Sequence, residues 1–261
     1  AAEPLFFHEF LELKFHSAPP LFSLERILGE PLQTALAIEK KYPAVHALFH
    51  EYMRIGGFPI YFHDKDVIPL VMNGIDAILQ TDLGYVAPSL TQKISLKARP
   101  ILLYLASSKP GEFSYDTVAS ATELSKGSVY LLIDALVRSG LIRFLGVQSS
   151  KSTIKLRKKA KVYFAHPTLR NALLRSAGEE ENIGSMREEI FFHHLKNAVD
   201  GIGYPKSEGP REPDFQVNLG TKKYLFEIGK HRDGKGFINV MDSKDAGYPL
   251  YLFGFLERKK G

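Results

Sequence analysis

Pro213-Asp-Phe-Gln-Val-Asn-Leu-Gly-Thr-Lys-Lys-Tyr-Leu-Phe-Glu-Ile228 has the layout of a β hairpin around Gly220-Thr221, a two-residue loop whose first position favours glycine. If Leu219 faces Lys222, then Val217 faces Tyr224, Phe215 faces Phe226 and Asp214 faces Glu227. One face of the hairpin is then apolar. The other sets two carboxylates directly opposite each other, with Cβ atoms about 4.5–5.5 Å apart, where like charges destabilise the pair unless something compensates. A divalent cation compensates: Mg²⁺ takes one or two carboxylates while keeping waters, which makes Asp214 and Glu227 half of a site for metal-assisted phosphodiester hydrolysis. The alternative is a solvated strand face whose two acids lie near Lys222 and Lys223.

Working outward, the polar stretch Ser176–Asn182 reads as a linker into this last unit. A helix from Ser185 to about Val199 follows, then short strands around Tyr204, Asp214–Asn218, Lys223–Ile228 and Leu250–Phe255. Upstream, Lys97 to about Pro167 reads as three short helices followed by two strand-like runs. The third helix is the clearest, because Ser125 or Ser128 can cap it, Val129, Leu132, Ile133 and Leu136 form an apolar stripe, and Gly140 follows its last turn. LIRFLGV and IKLRKKAKVYFA, joined by Gln148-Ser-Ser-Lys-Ser152, then predict a β wing, and the whole block fits a winged helix. Residues before about 95 read as helices, interrupted at Gly56-Gly57-Phe58-Pro59 by a structural turn. The expected fold is mixed α+β: a helical segment over 1–95, a winged helix over 96–175 and an α/β unit over 176–261.

Composition sets the outer limits. The 261 residues are 44% hydrophobic and 24% charged, which excludes a mainly disordered or collagenous chain. With no cysteine there is no disulfide framework and no thiolate site, so a reducing, cytoplasmic setting is expected. No apolar run approaches the roughly 18–20 residues of a membrane span, and AAEPLFFHEF lacks the basic flank of a secretory signal. A soluble chain without a membrane partner is the expectation.

The net charge is +5, and its meaning depends on where the cations cluster. Lys151, Lys155, Arg157, Lys158, Lys159 and Lys161 fall on the predicted wing with no acid among them, where such side chains reach DNA phosphates. Phosphate contacts give affinity without sequence preference. The third helix offers only Lys126, Ser128, Tyr130 and Arg138 around Asp134, a thin set for reading bases, so weakly sequence-dependent DNA binding is expected. A solvated wing, or one that docks a protein partner or a second copy, is the competing reading. His193 and His194 diverge by about 100° on one helix and cannot share a metal in standard geometry. Gly229-Lys-His-Arg-Asp-Gly-Lys-Gly236 mimics a phosphate-binding loop but has glycine where Ser or Thr would hold Mg²⁺, and reads as a flexible basic loop.

Taken in order, several segments resemble the C-terminal parts of archaeal and bacterial AAA-type ATPases, in which a winged helix joins a domain similar to the PD-(D/E)XK nucleases. They are LFFHEFLEL from Leu5 to Leu13, the Gly56–Pro59 turn, the winged-helix block, Lys161–Phe164, Glu188 with Leu195, Glu212-Pro-Asp-Phe215 and Phe226-Glu-Ile228. The resemblance spans nearly the whole chain. It implies Glu188, Asp214 and Glu227 as metal ligands for Mg²⁺. Where the pattern has its catalytic lysine this sequence has Gly229, and Lys230, one residue later, serves only if a bulge swings it back. The resemblance also implies an upstream ATP-binding core, so the chain reads as a C-terminal fragment or reduced relative from which no ATPase activity is expected on its own. A weak or absent nuclease activity is expected, with an assembly module of the ATPase as the alternative.

Overall fold

The computed structural model describes residues 3–64, 66–148, 160–205, 213–230, 236–240 and 247–259. The first third is helical, as its spacing predicts: α1 (Phe7–Phe15), α2 (Leu24–Gly29), α3 (Pro31–Lys41) and α4 (Val45–Ile55), then α5 (Val67–Ala77), a π turn at Ile78–Asp82, α6 (Leu83–Val86) and α7 (Gln92–Ser95). Three helices follow, α8 (Ala98–Ser107), α9 (Tyr115–Thr122) and α10 (Lys126–Arg138). The hydroxyl of Ser125 caps α10 by accepting the Ser128 N–H at 3.0 Å, Val129, Leu132, Ile133 and Leu136 are buried, and Gly140 leaves the helix at φ 79°.

Next come β1 (Ile142–Leu145), β2 (Val147–Gln148) and β3 (Lys161–Phe164), then α11 (Pro167–Ser176) and α12 (Ile183–Ala198). The chain closes with β4 (Ile202–Pro205), β5 (Phe215–Leu219), β6 (Lys222–Lys230), β7 (Gly236–Val240), β8 (Tyr248–Pro249) and a 3₁₀ helix at Leu250–Phe255. β1 pairs antiparallel with β3, while a six-stranded, largely antiparallel sheet runs in the order β2-β4-β5-β6-β7-β8. The fold is mixed α+β. β2 leaves the β1–β3 pair after Gly146 to run parallel to β4, so the middle block lends an edge strand to the C-terminal sheet.

The hairpin register is the one its loop predicts: Phe215 faces Phe226, Val217 faces Tyr224 and Leu219 faces Lys222, with Gly220 at φ 56°. Phe215, Val217 and Phe226 are fully buried, and Phe191 of α12 packs on Phe215 and Phe226 at ring-centroid distances of 5.0 and 5.3 Å. The segment Leu250–Phe255, expected as a strand, is helical instead. All six of its residues are buried, so no alternation marks its conformation, and Gly254 lies so close to Phe7 that an added Cβ would meet that ring at 2.7 Å. β6 extends through Lys230 and β7 begins at Gly236, so two strands flank the basic stretch whose residues 231–235 lie outside the described residues.

Among the described residues two hydrophobic cores form, and they do not divide where the three sequence units do. One joins α1 and α4 to α12, the C-terminal sheet and the 3₁₀ helix. The other gathers α5, α8, α9, α10, α11 and the β1–β3 pair. The helical segment expected over 1–95 is therefore split between Met53 and Val67, across the Gly56–Pro59 turn. β3 lies on the seam. Val162 and Phe164 enter the second core while Tyr163 enters the first, as strand alternation dictates.

Candidate functional site

Residues two apart on a strand share a face, so Lys161 and Tyr163 project together from β3. Opposite them stand Glu188 of α12 and Asp214, which lies just before β5. The Asn182 side chain starts α12 by accepting the Ser185 N–H at 3.2 Å, and Met186, Ile190 and Phe191 anchor it in the core. Asp214 is fixed by its own N–H, which donates to the Phe226 carbonyl at 2.8 Å.

Both oxygens of Asp214 are engaged. The Lys161 ammonium donates to Oδ1 at 3.1 Å and the Ile228 N–H donates to Oδ2 at 2.8 Å, with the Lys161 and Asp214 side chains only 17% and 18% exposed. Lys161 Nζ also lies 5.9 and 6.0 Å from the ring centroids of Tyr204 and Phe215, a largely apolar setting in which this ion pair is stronger than a surface pair. The Tyr163 hydroxyl donates to Glu188 Oε2 at 3.1 Å. Burial, reinforced by the negative charge of Asp214, pushes the Glu188 carboxyl up to about 7, with Lys161 and the Tyr163 hydrogen bond opposing. Burial likewise holds the Tyr163 hydroxyl protonated, well above its usual range. The cluster is thus an ammonium tethered to Asp214 beside a second carboxylate, Glu188, whose carboxyl burial raises above its usual range.

Glu227 does not join it. The residue is exposed, so the expected trio of Glu188, Asp214 and Glu227 is corrected to a pair of carboxylates with an amine. The physical reason is that Asp214 turns its oxygens to Lys161 and the Ile228 N–H while Glu227 turns to solvent. Mg²⁺ needs near-octahedral oxygen ligands. Here the Asp214 oxygens face an ammonium and an amide, and among the described residues no group of three or more His, Cys, Asp or Glu side chains is arranged to hold a metal ion. These residues do not fit the ion. Lys230 closes β6 opposite Gly236, and its side chain lies outside the described ones.

Of the residues expected to bind nucleic acid, Lys151, Lys155, Arg157, Lys158 and Lys159 fall outside the described residues. Lys161 is corrected: it is the inward ion-pair partner of Asp214 and not a wing cation. On α10, Lys126 pairs with Asp116 at 2.8 Å and Arg138 with Asp134 at 3.9 Å, both at exposed positions. Tyr130, 47% exposed, stacks on Tyr115 with ring centroids 3.8 Å apart. The part played by Lys161 and Tyr163 was missed in the sequence, although their i, i+2 spacing on one strand is the signal that joins them.

The histidines pack. His193 accepts from Arg143 Nη1 on Nδ1 at 3.1 Å and donates from Nε2 to the Leu5 carbonyl at 3.1 Å, which fixes a neutral tautomer. His166 caps α11, its Nδ1 accepting the Thr168 N–H at 3.1 Å. Burial holds His166, His193 and His194 well below the usual imidazole range. A second buried ion pair, Arg170–Glu189, lies one residue along α12 from Glu188, with Glu189 fully buried and Nη2 to Oε1 at 2.8 Å.

Among the described residues no helix is long and apolar enough to cross a membrane. The chain is 25% identical over 276 residues to the uncharacterized protein MJ1637 of Methanocaldococcus jannaschii, an alignment that takes in 95% of this chain and 57% of that protein. It therefore spans little more than half the length of this relative. No solved structure matches it. A family model described as Domain of unknown function (DUF8612) matches residues 46–180, which include Lys161 and Tyr163 but neither Glu188 nor Asp214. That match covers more than half of the sequence, and the chain belongs to the DUF8612 family.

Proposed function

We propose that this chain is a DNA-associated module from the C-terminal part of an AAA-type ATPase, built of a winged helix and a nuclease-like domain that binds without cleaving. The observation that carries the inert assignment is the Lys161–Asp214 ion pair beside Glu188. An internal ammonium supplies there the positive charge that a divalent ion supplies in the PD-(D/E)XK nucleases this sequence resembles. A protein amine cannot lower the pKa of a water as a bound metal does, so the Lys161–Asp214–Glu188 cluster is assigned a structural role without that chemistry.

The winged-helix assignment is supported by the order α8, α9, α10, β1, β3, with β1 and β3 antiparallel. DNA affinity is assigned to the five cations from Lys151 to Lys159, which the sequence places between the two strands. A second reading, a protein-assembly module, is favoured by one observation: the α10 cations already have acidic partners, while Leu131 is 45% exposed.

Duplex binding followed by fluorescence anisotropy across a salt series tests the proposal. Affinity should fall steeply with salt, and Lys158→Ala/Lys159→Ala should flatten the log–log slope by about 1.8, roughly 0.9 for each phosphate that is no longer neutralised. Supercoiled DNA should survive Mn²⁺ intact. Nicking that disappears in Asp214→Ala would overturn the inert assignment, and salt-independent or absent binding would leave the assembly reading.

A further inference from the structure

We infer that the α5 side of the molecule holds a binding site for a single uncharged hydrocarbon chain. A cavity of about 440 Å³ opens there, bounded by α5, the Gly56–Pro59 turn, Gly140-Leu141 and α11. Its size falls inside the range of about 300–1,000 Å³ in which small-molecule sites occur. Core residues make its floor, with Ile75, Leu141 and Leu169 at 1%, 3% and 5% exposure, and half-buried Phe58 and Ile60 line it beside them. Gly74 and Gly140 stand exposed at its rim.

The lining chooses the occupant. Every lining side chain among the described residues is apolar, so a carboxylate, phosphate or sugar inside would lose its hydration with no partner to replace it. A charged or strongly polar occupant is thereby excluded, and a hydrocarbon chain fits, with any polar head remaining at the mouth. At roughly 30 Å³ per water-sized group the space takes about 15 such groups, the size of one medium-length chain.

A second observation points to the same place. Ile78, a lining residue, opens the π turn Ile78–Asp82, where one extra residue per turn interrupts the regular ladder of α5. Such turns are rare and concentrate at functional sites. Phe58, from the Gly-Gly-Phe-Pro turn that the hairpin cluster does not use, also faces the cavity, which gives that turn a role beyond its geometry. The site is independent of the DNA reading.

Calorimetric titration with straight-chain alkan-1-ols from six to fourteen carbons tests the inference. Each added methylene should tighten binding about fourfold until the cavity is full, after which the gain stops. Gly74→Phe places a ring at the rim where an added Cβ meets nothing within 4 Å, so the fold should persist and affinity should fall at least tenfold. Ile60→Trp, from a different element, gives the same readout should Gly74→Phe unfold. Affinity that ignores chain length, or that survives both substitutions, overturns the site. A concentration-dependent dimer that Gly74→Phe dissolves overturns it as well, because a second copy would then be the occupant.

Discussion

Arg170→Met should be among the most damaging single changes in this protein. Arg170, 1% exposed, donates from Nε and Nη2 to Glu189 Oε1 at 2.9 and 2.8 Å. Its Nη1 donates to the carbonyls of Leu105 and Ser108, each at 3.0 Å, and to that of Ala106, satisfying the C-terminal end of α8. The same Glu189 oxygen accepts the Phe164 N–H at 3.0 Å, so one ion pair ties together α8, α11, α12 and β3. Removing the guanidinium strands a fully buried carboxylate, a loss worth about 3–5 kcal/mol, and frees carbonyls that add about 1 kcal/mol or more. Out of a total stability of roughly 5–15 kcal/mol, that is a large share. Glu189→Leu should cost a similar amount by stranding the cation. Arg170→Met/Glu189→Leu removes both charges and should cost far less than the two singles together, giving a coupling of about 3 kcal/mol in a double-mutant cycle from urea unfolding at pH 7. Additivity within about 0.5 kcal/mol would show that the pair does not act as a unit and would refute the reasoning.

Two further outcomes follow from the same geometry. The Glu188 carboxyl is raised from 4.5 to about 7, so the fold prefers its protonated form: that stability is present below about pH 4.5 and lost as pH rises through 7. Glu188→Gln should therefore gain on the native protein by up to about 3 kcal/mol between pH 4.5 and 8, and parallel stability–pH curves for the two would contradict the assignment. At Gly57, an added Cβ would lie 2.2 Å from Nδ1 of His166, a ring locked by its cap on α11, so Gly57→Ala should lower stability by about 1–3 kcal/mol. Gly74→Ala, with open space around its Cβ, is the control; an equal loss in both would mean that the clash is not the cause.

Local signals in the sequence held where one element decides its own shape. The α10 cap, its stripe and Gly140 are written within sixteen residues, and the Gly220-Thr221 loop fixes its own register. Partnership was harder to read. Periodicity shows that α1 and α4 bury a face but not that the face meets the C-terminal sheet, because nothing local encodes contact across some two hundred residues. The same limit governed the site. Asp214 was legible as an acid that needed compensation, with Glu227 as its expected neighbour and Glu188 named only through the family resemblance, but the compensating cation came from β3, where Lys161 looked like one more wing lysine. Glu227 failed for a different reason: strict alternation was extended past the end of β5, whereas Asp214 lies before the strand and bonds its own amide to Phe226.

The seam explains why the cluster and the family boundaries disagree. β3 alternates between the two cores, so its Lys161 and Tyr163 face α12 and the hairpin while Val162 and Phe164 face the helices behind. Residues 46–180 carry Lys161, Tyr163 and Arg170, whereas Asp214, Glu188 and Glu189, their partners, come later in the chain. Half of each of these contacts thus lies on either side of residue 180. A buried ammonium or guanidinium is costly without its acid. The helices behind β3 and the sheet in front of it are therefore coupled by charge as well as by packing, and β2, lent to the edge of the C-terminal sheet, adds a backbone tie between them. A displacement of the hairpin relative to β3 would break the Lys161–Asp214 pair, while one of α12 would free both Glu188 and Glu189 from their partners. The candidate site is for that reason a property of the joined halves, belonging to neither alone.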